Sequence, residues 1–179
     1  MLATQPFGPI KQWGYLVKDL EPAMQSWIDN LGVGPFWGFR NVALTSHMHG
    51  TRSEVIMNVG LTYQAGVQIE LIEQLNPDEA PSPYSDFYQT EQPQVFQQFG
   101  YHSLDIDADR KTALSMGLRE LGYVESQTQS HYYYFDHPSI AGMVIELMEM
   151  DQMTIDAFTY CATEAETWDG SDPYRLIDL

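Results

Sequence analysis

The sequence predicts an α+β fold made of two tandem βαβββ modules followed by a helical C-terminal tail. Three observations predict it. Gly66-Val67-Gln68-Ile69-Glu70-Leu71-Ile72-Glu73 returns as Gly142-Met143-Val144-Ile145-Glu146-Leu147-Met148-Glu149, a shared G-x-x-I-E-L-[IM]-E. Each copy alternates apolar and polar side chains after a turn-forming glycine, the pattern of a strand with one face on a core. The same order of strand and helix signals precedes both copies, as an internal repeat requires. Finally, 44% of the 179 residues are apolar and no apolar run approaches a membrane span, so the chain has material for one core or two small fused ones.

The elements follow in order. Residues 1–10 form an extended lead-in broken by Pro6, Gly8 and Pro9, and residues 11–17 a strand. Asp19 is placed to cap a helix over 20–31, with Pro22 in its first turn, Met24, Trp27, Ile28 and Leu31 at helical spacing, and Gly32 at its end. Strands over 36–46 and 52–63 flank a turn at His49-Gly50, and the first copy of the repeat closes the module. Residues 76–94 are a polar, proline-rich connector with a short helical turn around Tyr84. In the second half, 99–106 reads as a strand. Asp107 or Asp109 caps a helix running through Leu121 and ended by Gly122, and strands over 123–127 and 131–135 lead to the second copy. The modules thus span about 10–75 and 97–150 of a domain covering 1–150, and 151–179 is a tail: a helix packed on the body, then a loosely held acidic terminus.

Composition excludes several classes of function. Eight basic against 25 acidic residues give a net charge of −17, which speaks against nucleic acid or an anionic membrane as partner, since both demand clustered Lys and Arg. Cys161 is the only cysteine, so neither an intramolecular disulfide nor a cysteine-rich zinc site is available. With no signal-peptide pattern at the start, a reducing cytoplasm is the expected compartment.

The carboxylate in the middle of each repeated strand carries the chemistry. Such a group, set among Ile, Leu and Val, is costly to bury unless it is paired or binds a metal. If the halves are equivalent, the last strands offer Glu70 and Glu146 to a common centre and the first strands offer Gln12 and His102. One amide, one imidazole and two carboxylates suit a divalent ion such as Zn, Mn, Co, Ni or Fe. His47 and His49, at i and i+2, either share a strand face or lie in a loop. His137 and the Tyr132-Tyr133-Tyr134 run read as structural.

Several pieces in sequence order resemble the vicinal oxygen chelate superfamily, which holds glyoxalase, bleomycin-resistance and extradiol dioxygenase proteins. They are Gln12-Trp13-Gly14-Tyr15-Leu16-Val17-Lys18-Asp19-Leu20, Leu31-Gly32-Val33-Gly34-Pro35-Phe36, the two repeated strands, Ser82-Pro83-Tyr84-Ser85, Gly100-Tyr101-His102 and Tyr134-Phe135-Asp136. The nearest branch is the methylmalonyl-CoA epimerase or glyoxalase-like one. The resemblance implies a curved mixed sheet forming a cleft, one divalent metal held by Gln12, Glu70, His102 and Glu146, a small-molecule substrate and a homodimer. It implies an isomerase, epimerase or lyase that removes a proton next to a carbonyl, with Glu146 as base and Glu70 returning the proton. The epimerase branch carries a further acid in the middle of its first module, where this chain offers His47 and His49 as auxiliary acid or base. Two alternatives are a non-catalytic ligand-sequestering protein of the bleomycin-resistance kind and an iron-dependent ring-cleaving dioxygenase.

Overall fold

A computed structural model describes residues 5–78, 81–140 and 142–179, so the first four residues of the lead-in lie outside it. Strand β1 (Gln12–Val17) leads into helix α1 (Leu20–Leu31). Gly32 ends α1 in the left-handed conformation, φ 65°, that costs glycine little. Strands β2 (Phe36–Met48), β3 (Thr51–Gln64) and β4 (Val67–Gln74) follow as hairpins. Their two turns, His49-Gly50 and Ala65-Gly66, place both residues at positive φ, as tight hairpin turns matched to strand twist do. After a 3-10 turn at Ser85–Gln89 the order recurs as β5 (Gln94–Ser103), α2 (Ile106–Ser115), β6 (Arg119–Glu125), β7 (His131–Asp136) and β8 (Val144–Glu149), then α3 (Gln152–Glu166) and β9 (Tyr174–Asp178).

The sheet runs β3-β4-β1-β5-β8-β7-β6-β2-β9, and β2 also pairs with β3. Eight strands therefore close on themselves into a barrel, with β9 laid along β2. Period two then sorts the side chains. On β4, Ile69 and Leu71 face outward beneath α1, in a cluster with Val17, Leu20, Met24 and Phe36, while Gln68 and Glu70 face the interior. On β8, Leu147 packs outward with Ala113, Leu118 and Phe135 under α2, while Glu146 and Met148 face in.

Three sequence expectations are corrected. Helix α2 stops at Ser115, not Leu121: Leu118 N–H bonds Ala113 O and Gly117 N–H bonds Leu114 O, a Schellman end with Gly117 at φ 89°. Its cap is Asp105, whose carboxylate accepts from Ala108 N–H at 3.1 Å, not Asp107 or Asp109. Gly122 sits instead at a register shift in β6, where a Cβ would lie 2.2 Å from His47 O, so it is a bulge glycine. The terminus is tied down as well. Strand β9 pairs parallel with β2, from Phe36 opposite Tyr174 to Arg40 opposite Asp178, and the Trp168 ring fills the space a side chain at Gly34 would need.

Candidate active site

Strand register brings the carboxylates together. In the parallel pair β1–β4, Gly14 lies opposite Glu70, and in β5–β8, Gly100 lies opposite Glu146. The two pairs join where β1 meets β5 antiparallel, with Gln12 opposite Gly100 and Gly14 opposite Gln98. This pairing is its own mirror, so the counterpart of Gln12 in the second half is Gln98. The counterpart of His102 is Leu16.

Each glycine makes room for the other half's glutamine. A Cβ on Gly14 would lie 2.4 Å from Gln98 Cγ, and one on Gly100 would lie 2.8 Å from Gln12 Oε1. Gln98 Nε2 then donates to Glu146 Oε2 at 2.7 Å and Glu70 Oε2 at 3.2 Å, with Gln12 Oε1 at 3.5 Å. Gln12 is fixed from behind: its Nε2 donates to Gln68 Oε1 at 2.8 Å, and Gln68 Nε2 donates to Tyr63 OH at 2.6 Å. That leaves Gln12 Oε1 facing the carboxylates.

Gln12, Gln68, Glu70 and Glu146 form the floor of a cavity of about 520 Å³, with Gln98 fully buried behind them. Its walls are mostly apolar and aromatic, including Leu44, Met57, Val59, Tyr132, Met148 and Phe158, with Ser126, Gln127, Thr128 and Thr154 as polar exceptions, and among the described residues no Lys, Arg or His lines it. Tyr84, from the connector, and Tyr134 are buried in the wall with their hydroxyls 3.0 Å apart.

Electrostatics follow from this burial. Glu146 is 4% exposed, whereas Glu70 keeps part of its surface open to the cavity. Desolvation pushes the Glu70 carboxyl well above the usual carboxylate range, and the neighbouring Glu146 adds to the push. Desolvation also raises Glu146, to about 7, against hydrogen bonds from Tyr134 and Gln98 that favour its ionised form. Two like charges this close resist joint ionisation, so near neutrality the pair holds a proton between them. Tyr84 and Tyr134 are raised by burial well above an ordinary phenol and remain O–H donors.

Of the four ligands expected, the structure brings together Gln12, Glu70 and Glu146 but not His102. His102 lies four residues beyond Gln98 on β5, roughly 13 Å along the strand, with its ring 6.1 Å from that of Phe158 and its Nε2 buried without a partner. Among the described residues no three His, Cys, Asp or Glu side chains group as a metal site. His47 stacks on Tyr123 at 4.5 Å and His49 occupies the β2–β3 turn, and neither lines the cavity.

The sequence profile of the Glyoxalase/Bleomycin resistance protein/Dioxygenase superfamily matches residues 11–135. The chain belongs to that superfamily. No curated protein matches it, but solved structures share its fold. Methylmalonyl-CoA epimerase from Mycobacterium tuberculosis superposes with a TM-score of 0.58 at 20% identity, over 87% of this chain and 97% of that one. A hypothetical protein from Bacillus halodurans gives 0.60 at 13% identity, over 80% and 95%. A Streptomyces coelicolor methylmalonyl-CoA epimerase in complex with 2-nitronate-propionyl-CoA gives 0.52 at 15% identity, over 78% and 95%.

This member of the superfamily differs from the site its sequence suggests in one residue that the sequence does contain. Gln12-Trp13-Gly14-Tyr15 returns as Gln98-Phe99-Gly100-Tyr101, a second repeat that aligns Gln98 with Gln12. The oxygen set Gln12, Glu70, Gln98 and Glu146 fits a hard divalent ion better than zinc. Gln98 Oε1 is buried with no hydrogen-bond partner. Rotating that amide would turn Oε1 toward the carboxylates, an arrangement a cation favours.

Proposed function

We propose that this protein is an epimerase-like isomerase that moves a proton at a carbon next to a carbonyl, using Glu146 and Glu70 as the proton-transfer pair. One observation carries the reading: two carboxylates from equivalent strands, bridged by one amide, form the floor of a largely apolar cavity. Inversion at carbon needs one group to remove a proton and another to return it on the opposite face. A carboxyl pair holding one proton supplies both. Glu146, oriented by Gln98 and Tyr134, acts as base. Glu70, open to the cavity and under no second constraint from Tyr134, returns the proton, since the mid-module histidines stand elsewhere. The Tyr84 and Tyr134 hydroxyls, which line the cavity, donate toward the developing negative charge. A divalent ion, Mn²⁺ or Co²⁺ for example, would be held by Gln12, Glu70, Gln98 and Glu146 and would supply Lewis-acid stabilisation of the substrate oxygen.

Solvent exchange tests this. In D₂O, with and without added Mn²⁺, an enolisable ketone followed by NMR is expected to gain deuterium at its α-carbon. Glu146→Gln is expected to slow that exchange by about 10²–10⁴-fold. Exchange that is absent, or indifferent to Glu146→Gln, would sink the proposal. A ligand-sequestering protein would bind the same ketone equally well in wild type and Glu146→Gln without exchanging it. The ring-cleaving reading gains nothing from the geometry, because no imidazole reaches the floor.

A further inference from the structure

We infer that the cavity takes a neutral, lipophilic carbonyl compound, not an anionic acyl thioester or carboxylate. The inference rests on the proton-transfer reading for its carbonyl and on the cation inventory for its charge. None of the chain's eight basic residues lines the cavity. Arg40 is held by Glu21 and Asp178, Arg110 by Glu120, Arg119 by Asp136, and Arg175 by Glu164 and Asp172. Lys18 donates to the Phe87 and Tyr88 carbonyls outside the cavity. An anion entering would meet two carboxyl groups at the floor and mostly apolar walls with no side-chain cation among them. A divalent ion held at the floor would already be balanced by those two carboxyl groups, leaving several kcal/mol of lost hydration to offset.

The remaining surface suits a different guest. Phe39, Val42, Leu61, Met153, Ala157 and Leu179 add to the apolar lining. The volume of about 520 Å³ lies within the range of pockets that enclose drug-sized ligands. A single carbonyl oxygen at the floor would accept from a hydroxyl of Tyr84 or Tyr134, both of which line the cavity, and the rest of the molecule needs mainly hydrocarbon contact. Polar groups at the floor and a mostly apolar lining elsewhere suit a long-chain or alicyclic ketone.

Calorimetric titration with four probes decides it, on chelator-stripped protein and again with Mn²⁺ restored. The probes are 2-undecanone, decanoate, dodecyltrimethylammonium and methylmalonyl-CoA. The ketone is expected to bind at least about tenfold tighter than each of the other three, a gap of ~1.4 kcal/mol. Thr128→Lys places a cation at the exposed rim, where folding is not at stake, and is expected to improve decanoate binding while leaving the ketone unchanged. Decanoate, the ammonium ion or methylmalonyl-CoA binding wild type as tightly as the ketone, in either metal state, would overturn the inference. Following deuterium exchange in the same samples separates the two claims. Ketone binding without exchange removes the proton-transfer reading and leaves the cavity's preference standing. Exchange confined to methylmalonyl-CoA does the reverse.

Discussion

At the scale of residues, the site is an interlock of two glycines and two glutamines. Gly14 yields space to Gln98, and Gly100 yields space to Gln12. The interior is close-packed, so adding even one methyl group there forces a shift. Gly14→Ala is therefore expected to cost about 1–3 kcal/mol in urea unfolding. Gln98→Ala is expected to cost a similar ~1–3 kcal/mol, because both carboxyls lose their amide donor. In the double variant the added methyl no longer meets a side chain. The two losses should combine to less than their sum, by at least ~0.5 kcal/mol in a double-mutant cycle; strict additivity would contradict the interlock. The carboxylates were legible from the sequence because a charged residue in an alternating apolar strand is conspicuous, and Gln12 followed from the strand order. Gln98 was not, because glutamine is unremarkable in a strand and His102 offered a better-known ligand. Deciding between them takes the cross-strand register, which pairs residues distant in sequence.

Among the elements, α3 has the most to say. None of its side chains is fully buried, yet Met153, Thr154, Ala157 and Phe158 line the cavity. Phe158 also stands against His102, where burial, with a smaller contribution from Lys11, lowers the imidazole to about 4. Phe158→Ala should readmit water. The His102 pKa, read by NMR, is expected to rise toward its ordinary value of about 6.5. The stability loss should be roughly 1–2 kcal/mol, below that of a fully buried phenylalanine. An unmoved His102 titration would show that α3 does not cover this edge. Both hairpin turns and α1 were legible because glycine placement and helical periodicity act locally, although the Asp19 side chain, at the expected N-cap position, makes no capping hydrogen bond. The end of α2 and the pairing of β9 were not. The Schellman stop at Gly117 competed with a helical pattern that continued past it, and no local signal tells a terminal strand where its partner lies.

For the whole molecule, stability follows the protonation of the buried pair. Glu146 and Glu70 bind a proton more tightly folded than unfolded. Their contribution is complete below an unfolded carboxylate's pKa of about 4.3 and is lost as pH rises through the folded value, about 7 for Glu146. His102 works in the opposite sense: its folded pKa of about 4 lies below its unfolded one, so its contribution grows as pH rises from there to about 6.5. Above that point only the carboxyl pair is left, and the melting temperature of metal-free protein is expected to fall between about pH 6.5 and 8. Glu146→Gln should flatten this decline, and so should a divalent ion bound by the pair. A wild-type slope matched by Glu146→Gln would place the acid-base linkage elsewhere. The net charge of −17 adds a self-repulsion that salt screens, so the comparison belongs at fixed ionic strength.

The closed ring also sets an order of events in time. Its hairpins join neighbours in the chain, but its two seams do not: Gln12 meets Gly100 at one and Thr45 meets Glu125 at the other. Loop-closure entropy delays such pairings until local structure can reward them. The two acids stand on either side of the first seam, so each strand can form while its carboxyl is still hydrated. Only the docking of the halves brings the charges into a common dry space. The cost of drying them and taking up a shared proton then bears on how long the assembled barrel persists more than on how quickly it is reached.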